Sequence, residues 1–117
     1  MLEKIQFYIN KMKKLIDQFG VEYPIREDKK ELFIGKDSSC DIVVIPPKNS
    51  QDEDSLAYST ISGTHAFLFP KENILKDNNS KYGTYINDKI VNEKVFKIKP
   101  GNKIRLGALE LEFVEEN

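Results

Sequence analysis

The sequence has almost none of the residues from which disulfide frameworks and metal centres are built. Its 117 residues include one cysteine, Cys40, one histidine, His65, and no tryptophan. A single cysteine excludes an intrachain disulfide, and one cysteine with one histidine leaves too few soft ligands for a zinc site. We therefore expect no metal and no cofactor, and an intracellular, reducing compartment, the cytoplasm or the nucleus.

The sequence also has few arginines and a net charge close to zero. Only two of the 18 basic residues are arginine, and the formal net charge is -1. Because arginine is the usual residue for forked contacts to phosphates and bases, its scarcity argues against a nucleic-acid partner. No apolar run has the length of a signal peptide or a membrane span, so we expect no membrane insertion.

The N-terminal 20 residues carry two competing patterns. A helical stripe is formed by Leu2, Ile5, Ile9, Met12, Ile16 and Phe19, whereas Ile5, Phe7 and Ile9 alternate with polar or half-polar residues as in a strand. The chain length suits one domain with a single core. We therefore treat residues 1–20 as a segment holding the first strand or an amphipathic helix, attached to a domain over 21–117. A helix there could dimerise the chain; the oligomeric state is otherwise open.

From residue 21 onward the pattern indicates short β-strands separated by turns. Leu109, Leu111 and Phe113 alternate with Glu110 and Glu112, which is typical of a strand with one buried face. Similar runs predict strands at residues 21–25, 31–34, 40–45, 66–69, 73–76, 84–86, 103–107 and 109–114. Many short strands at near-regular spacing predict an all-β fold, an antiparallel β-sandwich.

One long connection interrupts this spacing. Residues 46–55 begin with two prolines and are acidic at their centre, which predicts an exposed loop. It is either a solvated insertion or an acidic lip beside a binding site, where it would repel acidic peptides.

Three short motifs occur in order between these strands. They are Gly35-Lys36, Ser62-Gly63-Thr64-His65 and Ser80-Lys81-Tyr82-Gly83-Thr84-Tyr85-Ile86-Asn87. In that order and spacing they resemble the forkhead-associated (FHA) domain family, over about residues 21–114. The resemblance implies an FHA/SMAD-like sandwich of about eleven strands whose first strand pairs with the last. That first strand would then lie within residues 4–19, with a helix replacing or preceding it as the alternative.

The first two motifs imply a phosphate-binding site. In the family, an arginine after the first glycine reaches the phosphate, and Lys36 occupies that position here after Gly35. Lysine keeps the charge but loses the planar fork. The resemblance implies that Ser62 donates to a phosphate oxygen, that Gly63 offers its backbone, and that His65 braces the loop from within.

The third motif departs furthest from the family pattern. Tyr82 stands where the family usually has an asparagine that holds the backbone of the bound peptide, and Lys81 precedes it. Tyrosine cannot offer the paired amide donor and acceptor, although it can stack or donate one hydrogen bond. A second lysine could compensate for the weaker first one. Gly83 and Thr84 match the family, and Asn87 fits its later, structural turn asparagine.

The resemblance thus implies a non-enzymatic module that recognises phosphothreonine in a partner protein, through Lys36, Ser62, Gly63, Lys81 and Tyr82. One alternative is an FHA-like scaffold that binds partners independently of phosphate. A second alternative is catalysis, with Ser62 or Cys40 as nucleophile and His65 as base, but the sequence shows no third carboxylate to orient the histidine.

Overall fold

The protein is a two-layered β-sandwich in the computed structural model, which describes residues 12–48, 50, 52–90 and 95–116. Those residues form eleven strands and one short helix, α1, at Asp52–Tyr58. The strands are β1 (Met12–Asp17), β2 (Glu22–Ile25), β3 (Leu32–Gly35), β4 (Ile42–Val43), β5 (Ala66–Phe69), β6 (Ile74–Asp77), β7 (Thr84–Ile86), β8 (Lys89–Ile90), β9 (Val95–Lys97), β10 (Lys103–Leu106) and β11 (Leu109–Glu116). The predicted all-β sandwich of about eleven strands is confirmed.

The strands form a six-stranded sheet, in the order β2-β1-β11-β10-β7-β8, and a five-stranded sheet, in the order β4-β3-β5-β6-β9. The expectation that the first strand pairs with the last is confirmed for these residues: β1 and β11 run antiparallel, with Met12 opposite Glu116 and Asp17 opposite Leu111. The strand expected within residues 4–19 is therefore present at its C-terminal part. The helix considered before it falls on residues 1–11, outside the described residues.

The core lies between the two sheets and follows the alternation of the sequence. In β11, Leu109, Leu111 and Phe113 are almost completely buried while Glu110 is exposed. Leu32, Leu68 and Leu75 supply the facing layer from neighbouring strands of the five-stranded sheet. Burying one large apolar side chain contributes about 1.5–3 kcal/mol, so this alternation is sufficient to hold the sheets face to face.

The prediction of a strand over residues 40–45 is wrong in its length. The ladder comprises only Ile42–Val43, which pairs with β3 in parallel, whereas the other described pairs are antiparallel. The Cys40 amide instead closes a turn on the Asp37 carbonyl. Beyond the strand, Val44 still donates to Gly35, but residues 46 and 47 are prolines, which have no amide hydrogen to continue a ladder.

The prediction of a loop over residues 46–55 is also wrong for the second half of that connection. Asp52–Tyr58 is a helix of seven residues, and its end is anchored where Tyr58 packs into the core and donates to Asp17. Too few apolar residues recur over this short span for a helical period to show in the sequence. Among the described residues, no helix is long and apolar enough to span a membrane.

Candidate functional site

Three loops meet at one end of the sandwich, and Ser62 joins them. The Lys36 amide in the β3–β4 loop donates to the Ser62 carbonyl (3.2 Å), and the Lys81 amide in the β6–β7 loop donates to Ser62 Oγ (3.1 Å). The sequence separates these residues by 26 and 19 positions, yet the fold brings the backbone of all three together. We call this junction the Ser62 site.

One glycine, Gly35, makes the close approach between the first two loops possible. A Cβ on Gly35 would lie 2.0 Å from the Gly63 carbonyl oxygen, which is far inside any allowed contact. The same carbonyl accepts a hydrogen bond from the Asp37 amide (3.0 Å). A side chain at position 35 would therefore separate Lys36 from Ser62. At Gly63, by contrast, a Cβ would meet nothing, so the surface beside Ser62 is open.

His65 ties two of the loops together from below. It is completely buried; the Ser62 amide donates to its Nδ1 (3.0 Å), and its Nε2 lies 2.9 Å from the Gly83 carbonyl oxygen. Because Nδ1 accepts, Nε2 carries the proton and donates to Gly83, which defines a neutral ring. Burial lowers the pKa of His65, against the smaller opposing effects of the Gly83 carbonyl and the Asp77 carboxylate.

This geometry leaves His65 no role as a base for Ser62. The ring nitrogen facing Ser62 bonds to its amide and not to its hydroxyl, and the other nitrogen is engaged by Gly83. Cys40 is no better placed as a nucleophile, because burial raises the pKa of its thiol and its Sγ lies 3.2 Å from the Gly63 carbonyl. Within the described part of the chain, no group of three or more His, Cys, Asp or Glu side chains could hold a metal ion.

The β6–β7 loop is folded around Asp77, a residue that the sequence analysis did not single out. Its carboxylate accepts hydrogen bonds from Ser80 Oγ and Thr84 Oγ1 (both 2.6 Å) and from the Ser80 amide (3.1 Å). Thr84 is completely buried, so its hydroxyl needs this partner. The Asp-x-x-Ser spacing is a common turn signal and could have indicated the role of Asp77.

Lys81 and Tyr82 project from this loop and are exposed. Lys81 Nζ lies 5.3 Å from the centre of the Tyr82 ring, within the range of a cation–π contact. The Tyr82 carbonyl accepts a hydrogen bond from Tyr85 Oη (3.3 Å), and Gly83 takes a left-handed backbone with φ of 85°. The substituted third motif is thus held in place by backbone contacts that do not involve the Tyr82 hydroxyl.

The β10–β11 turn supports the site from a further direction that the sequence did not indicate. The Gly107 amide donates to the Gly83 carbonyl (2.8 Å), the same oxygen that His65 binds. The Ala108 amide donates to Thr60 Oγ1 (2.8 Å), two residues before Ser62. These contacts span 24 and 48 positions, so no local pattern reveals them.

Asn87 lies at a different place, in the turn between β7 and β8. Its φ is 49°, its amide donates to the Lys103 carbonyl (2.8 Å), and its Oδ1 accepts from the Lys103 amide (3.1 Å). It therefore closes the sheet between β7 and β10 and does not contact the Ser62 site.

The Ser62 site carries two lysines, Lys36 and Lys81, and the carboxylates of Asp37 and Asp77. Neither Lys36 nor Lys81 forms an ion pair with any residue that the structure describes. The nearby carboxylate of Asp37 accepts from the amide and hydroxyl of Ser39, and these bonds lower the pKa of Asp37. Ser62 Oγ accepts from the Lys81 amide, and no described residue accepts its hydroxyl hydrogen, which can therefore donate to a ligand. A hydroxyl donor whose neighbouring loops each carry an exposed lysine suits an anion with several oxygens.

Comparison with known proteins agrees with the fold and the order of the motifs. A family model described as "FHA domain" matches residues 32–107. A comparison with curated protein sequences gave no match.

Several solved structures with a similar fold are FHA domains. One, from a study of phosphothreonine-dependent FHA domain interactions, has a TM-score of 0.70 at 22% identity and covers 91% of this chain and 98% of its own. The FHA domain of a Chlamydia trachomatis protein has a TM-score of 0.68 at 20% identity, with 91% and 99% covered. The yeast Dun1 FHA domain, in complex with a doubly phosphorylated phosphothreonine peptide, has a TM-score of 0.63 at 19% identity, with 89% and 74% covered.

Proposed function

The chain belongs to the FHA domain family, and from that premise we propose that it is a non-enzymatic module that binds phosphothreonine-containing segments of partner proteins. The observation that carries the proposal is the environment of the Ser62 hydroxyl. The Lys81 amide donates to its oxygen, and no described residue accepts its hydrogen. The backbone amides of Lys36 and Lys81 both contact Ser62, and neither lysine forms an ion pair among the described residues.

A phosphate group is the anion that best matches this set of donors. A phosphothreonine carries a charge between about -1.5 and -2 and three acceptor oxygens, so it can engage one hydroxyl and two ammonium groups at the same time. A carboxylate offers two oxygens and one charge, and would leave part of the positive charge unused. Two of the similar solved structures support phosphate as the ligand: one comes from a study of phosphothreonine-dependent FHA domain interactions, and the Dun1 FHA domain is in complex with a phosphothreonine peptide.

Two positions distinguish this module from the family pattern. Lys36 places a point charge where the family has the forked guanidinium, which loosens the orientation of the phosphate. Tyr82 replaces the amide that would hold the peptide backbone and is half exposed, at 49%. We therefore propose that this site relies on the charge of Lys36 and Lys81 more than on backbone contacts.

The test is a direct comparison of phosphorylated and unphosphorylated peptides. A peptide library with a fixed central phosphothreonine and varied flanking residues would select ligands. Calorimetry would then compare the affinity of each ligand with that of the same peptide carrying unphosphorylated threonine or phosphoserine. We expect binding only to phosphorylated peptides, and phosphothreonine above phosphoserine, because the family resemblance implies a pocket for the γ-methyl group. Absence of phosphate-dependent binding at millimolar peptide would favour the phosphate-independent scaffold.

Ser62→Ala tests the residue at the centre of the site. Losing a hydrogen bond to a charged group costs about 1.5–3 kcal/mol, so we expect affinity for the selected phosphopeptide to fall by about tenfold or more, with little change in melting temperature. The matched control is Ser59→Ala, an exposed serine whose hydroxyl donates to Leu56 and not to the site. Equal affinities of the two variants would remove Ser62 from the phosphate contact.

A further inference from the structure

A third cationic group, besides Lys36 and Lys81, is held in a fixed position and is connected with the Ser62 site through Tyr85. Arg105, in β10, places its guanidinium carbon 3.9 Å from the centre of the Tyr85 ring, and its Nη1 donates to the Gly107 carbonyl (3.1 Å). An arginine stacked in this way has lost most of its side-chain freedom before any ligand arrives. Binding an anion with its remaining N–H groups therefore costs little further ordering.

The charge of Arg105 has no ion-pair partner among the residues that the structure describes. Glu110 is directly opposite it in the β10–β11 register, yet the two do not pair. At the next such pair of the same two strands, Lys103 and Glu112 do form an ion pair at 2.9 Å. Arg105 is thus held by an aromatic ring and a carbonyl, with its positive charge uncompensated.

Direct contacts connect Arg105 with the Ser62 site. The ring on which Arg105 stacks belongs to Tyr85, whose hydroxyl donates to the Tyr82 carbonyl, and Lys81 next to Tyr82 donates its amide to Ser62 Oγ. An extended peptide advances about 3.3 Å per residue, so a segment of about six residues is long enough to reach across these contacts.

We infer that Tyr85 and Arg105 form a second anion-binding position, which takes an anionic residue of the same peptide that carries the phosphothreonine. The ligand class is a phosphothreonine segment with a carboxylate or a second phosphate within about six residues of the first phosphate. This inference rests on the proposed function and narrows it. Glu110 weakens the binding of an anion at this second position. It lies opposite Arg105, so its carboxylate is on the same side of the sheet and repels an incoming anion.

The experiment moves a single negative charge along one peptide. A phosphothreonine peptide with neutral flanks is compared by calorimetry with versions carrying one aspartate at each of six positions on either side. The best position is then also made with a second phosphothreonine, which separates a carboxylate from a phosphate as the source of the charge. The proteins are the unaltered chain, Arg105→Gln, Arg105→Lys, Glu110→Gln and Arg26→Gln. Arg26 is the matched control, the other arginine of the chain, which pairs with Asp28 at 3.6 Å.

We expect the best-placed anion to raise the affinity of the unaltered chain about three- to tenfold, the range of a partly exposed charged contact. Arg105→Gln should remove that gain and lower affinity for the anionic-flank peptide much more than for the neutral-flank peptide, whereas Arg26→Gln should retain the gain. Glu110→Gln should increase the gain in affinity that the added anion gives. Arg105→Lys should keep part of this gain, because lysine retains the positive charge but cannot stack a planar group on Tyr85.

Three results would overturn the inference. The first is equal binding of neutral-flank and anionic-flank peptides at every position. The second is that Arg105→Gln reduces the affinity gain from the added anion no more than Arg26→Gln does. The third is that Arg105→Gln lowers the affinity for all phosphopeptides equally while the melting temperature is unchanged, which would place Arg105 at the first phosphate. Failure of the neutral-flank phosphopeptide to bind the unaltered chain would instead overturn the proposed function.

Discussion

The two ends of the sandwich use lysine in opposite ways. At the end away from the Ser62 site, Lys13 is buried, and its Nζ donates to Glu27 (2.7 Å), to the Pro70 carbonyl (2.8 Å) and to Asn73 (2.9 Å). These partners lie near the turn that follows β5, whereas His65 and the site precede β5. At the site, Lys36 and Lys81 are exposed and have no ion-pair partner in the described part of the chain.

The difference shows how the same residue type serves structure at one end and remains available for binding at the other. An ammonium group has three N–H donors, and all three of Lys13 are used within the protein. Lys13 therefore joins β1 to the β5–β6 turn and has no donor left for a ligand. Lys36 and Lys81 form no ion pair with any residue that the structure describes, which leaves their charge available to an anion from solution.

The largest expected effect separates these two roles. Lys13→Met leaves Glu27, Asn73 and the Pro70 carbonyl without their donor, so we expect the free energy of unfolding to fall by about 2–3 kcal/mol with unchanged phosphopeptide affinity. Lys81→Met is the counterpart, expected to weaken phosphopeptide binding and leave denaturant unfolding nearly unaltered. Similar effects of the two variants on stability, or on affinity, would contradict the distinction.

A smaller effect concerns the buried histidine beneath the site. Burial lowers the pKa of His65 in the folded protein, so below the ordinary histidine pKa the unfolded chain binds the proton more readily than the folded one. Stability should therefore be level above about pH 6.5 and decrease below it, by at most about 1.4 kcal/mol per pH unit. Thermal and denaturant unfolding between pH 5 and 7.5 measures this slope.

His65→Asn provides the control for that slope, because His65 is the only histidine in the sequence. The variant should lose most of the decrease between pH 5 and 7, whatever its stability at neutral pH. An equal slope in both proteins would assign the acid sensitivity to carboxylates and remove His65 as its cause.

The smallest expected effect sharpens the role of one exposed lysine. Lys36→Arg replaces a point charge by a forked donor, and we expect phosphopeptide affinity to rise by about fivefold. Lys36→Ala, its control, should lower the affinity. Equal binding by the two variants would show that the side chain at position 36 does not contact the phosphate.

Local patterns predicted the strands that have a clear alternation and missed the elements that have none. Leu109, Leu111 and Phe113 alternate with glutamates, and the strand is present over those residues. The helix at Asp52–Tyr58 was missed because its anchorage is a contact between Tyr58 and Asp17, 41 positions apart, and not a period in its own sequence. The shortened β4 has a different, local cause: the Cys40 amide closes a turn on the Asp37 carbonyl, and two prolines follow the strand.

The sequence alone determined the two-sheet fold and the order of the three motifs, because strand alternation and turn residues act over a few neighbouring positions. The tertiary structure alone decided which charges are neutralised. Nothing in the sequence separates the lysine at 13 from those at 36 and 81, or predicts that Arg105 stacks on Tyr85 and forms no ion pair with Glu110, the residue opposite it. The partners that satisfy the charge of Lys13 lie 14, 57 and 60 positions away, at Glu27, Pro70 and Asn73, so only folding brings them together. The capacity to bind an anion arises where such partners are absent.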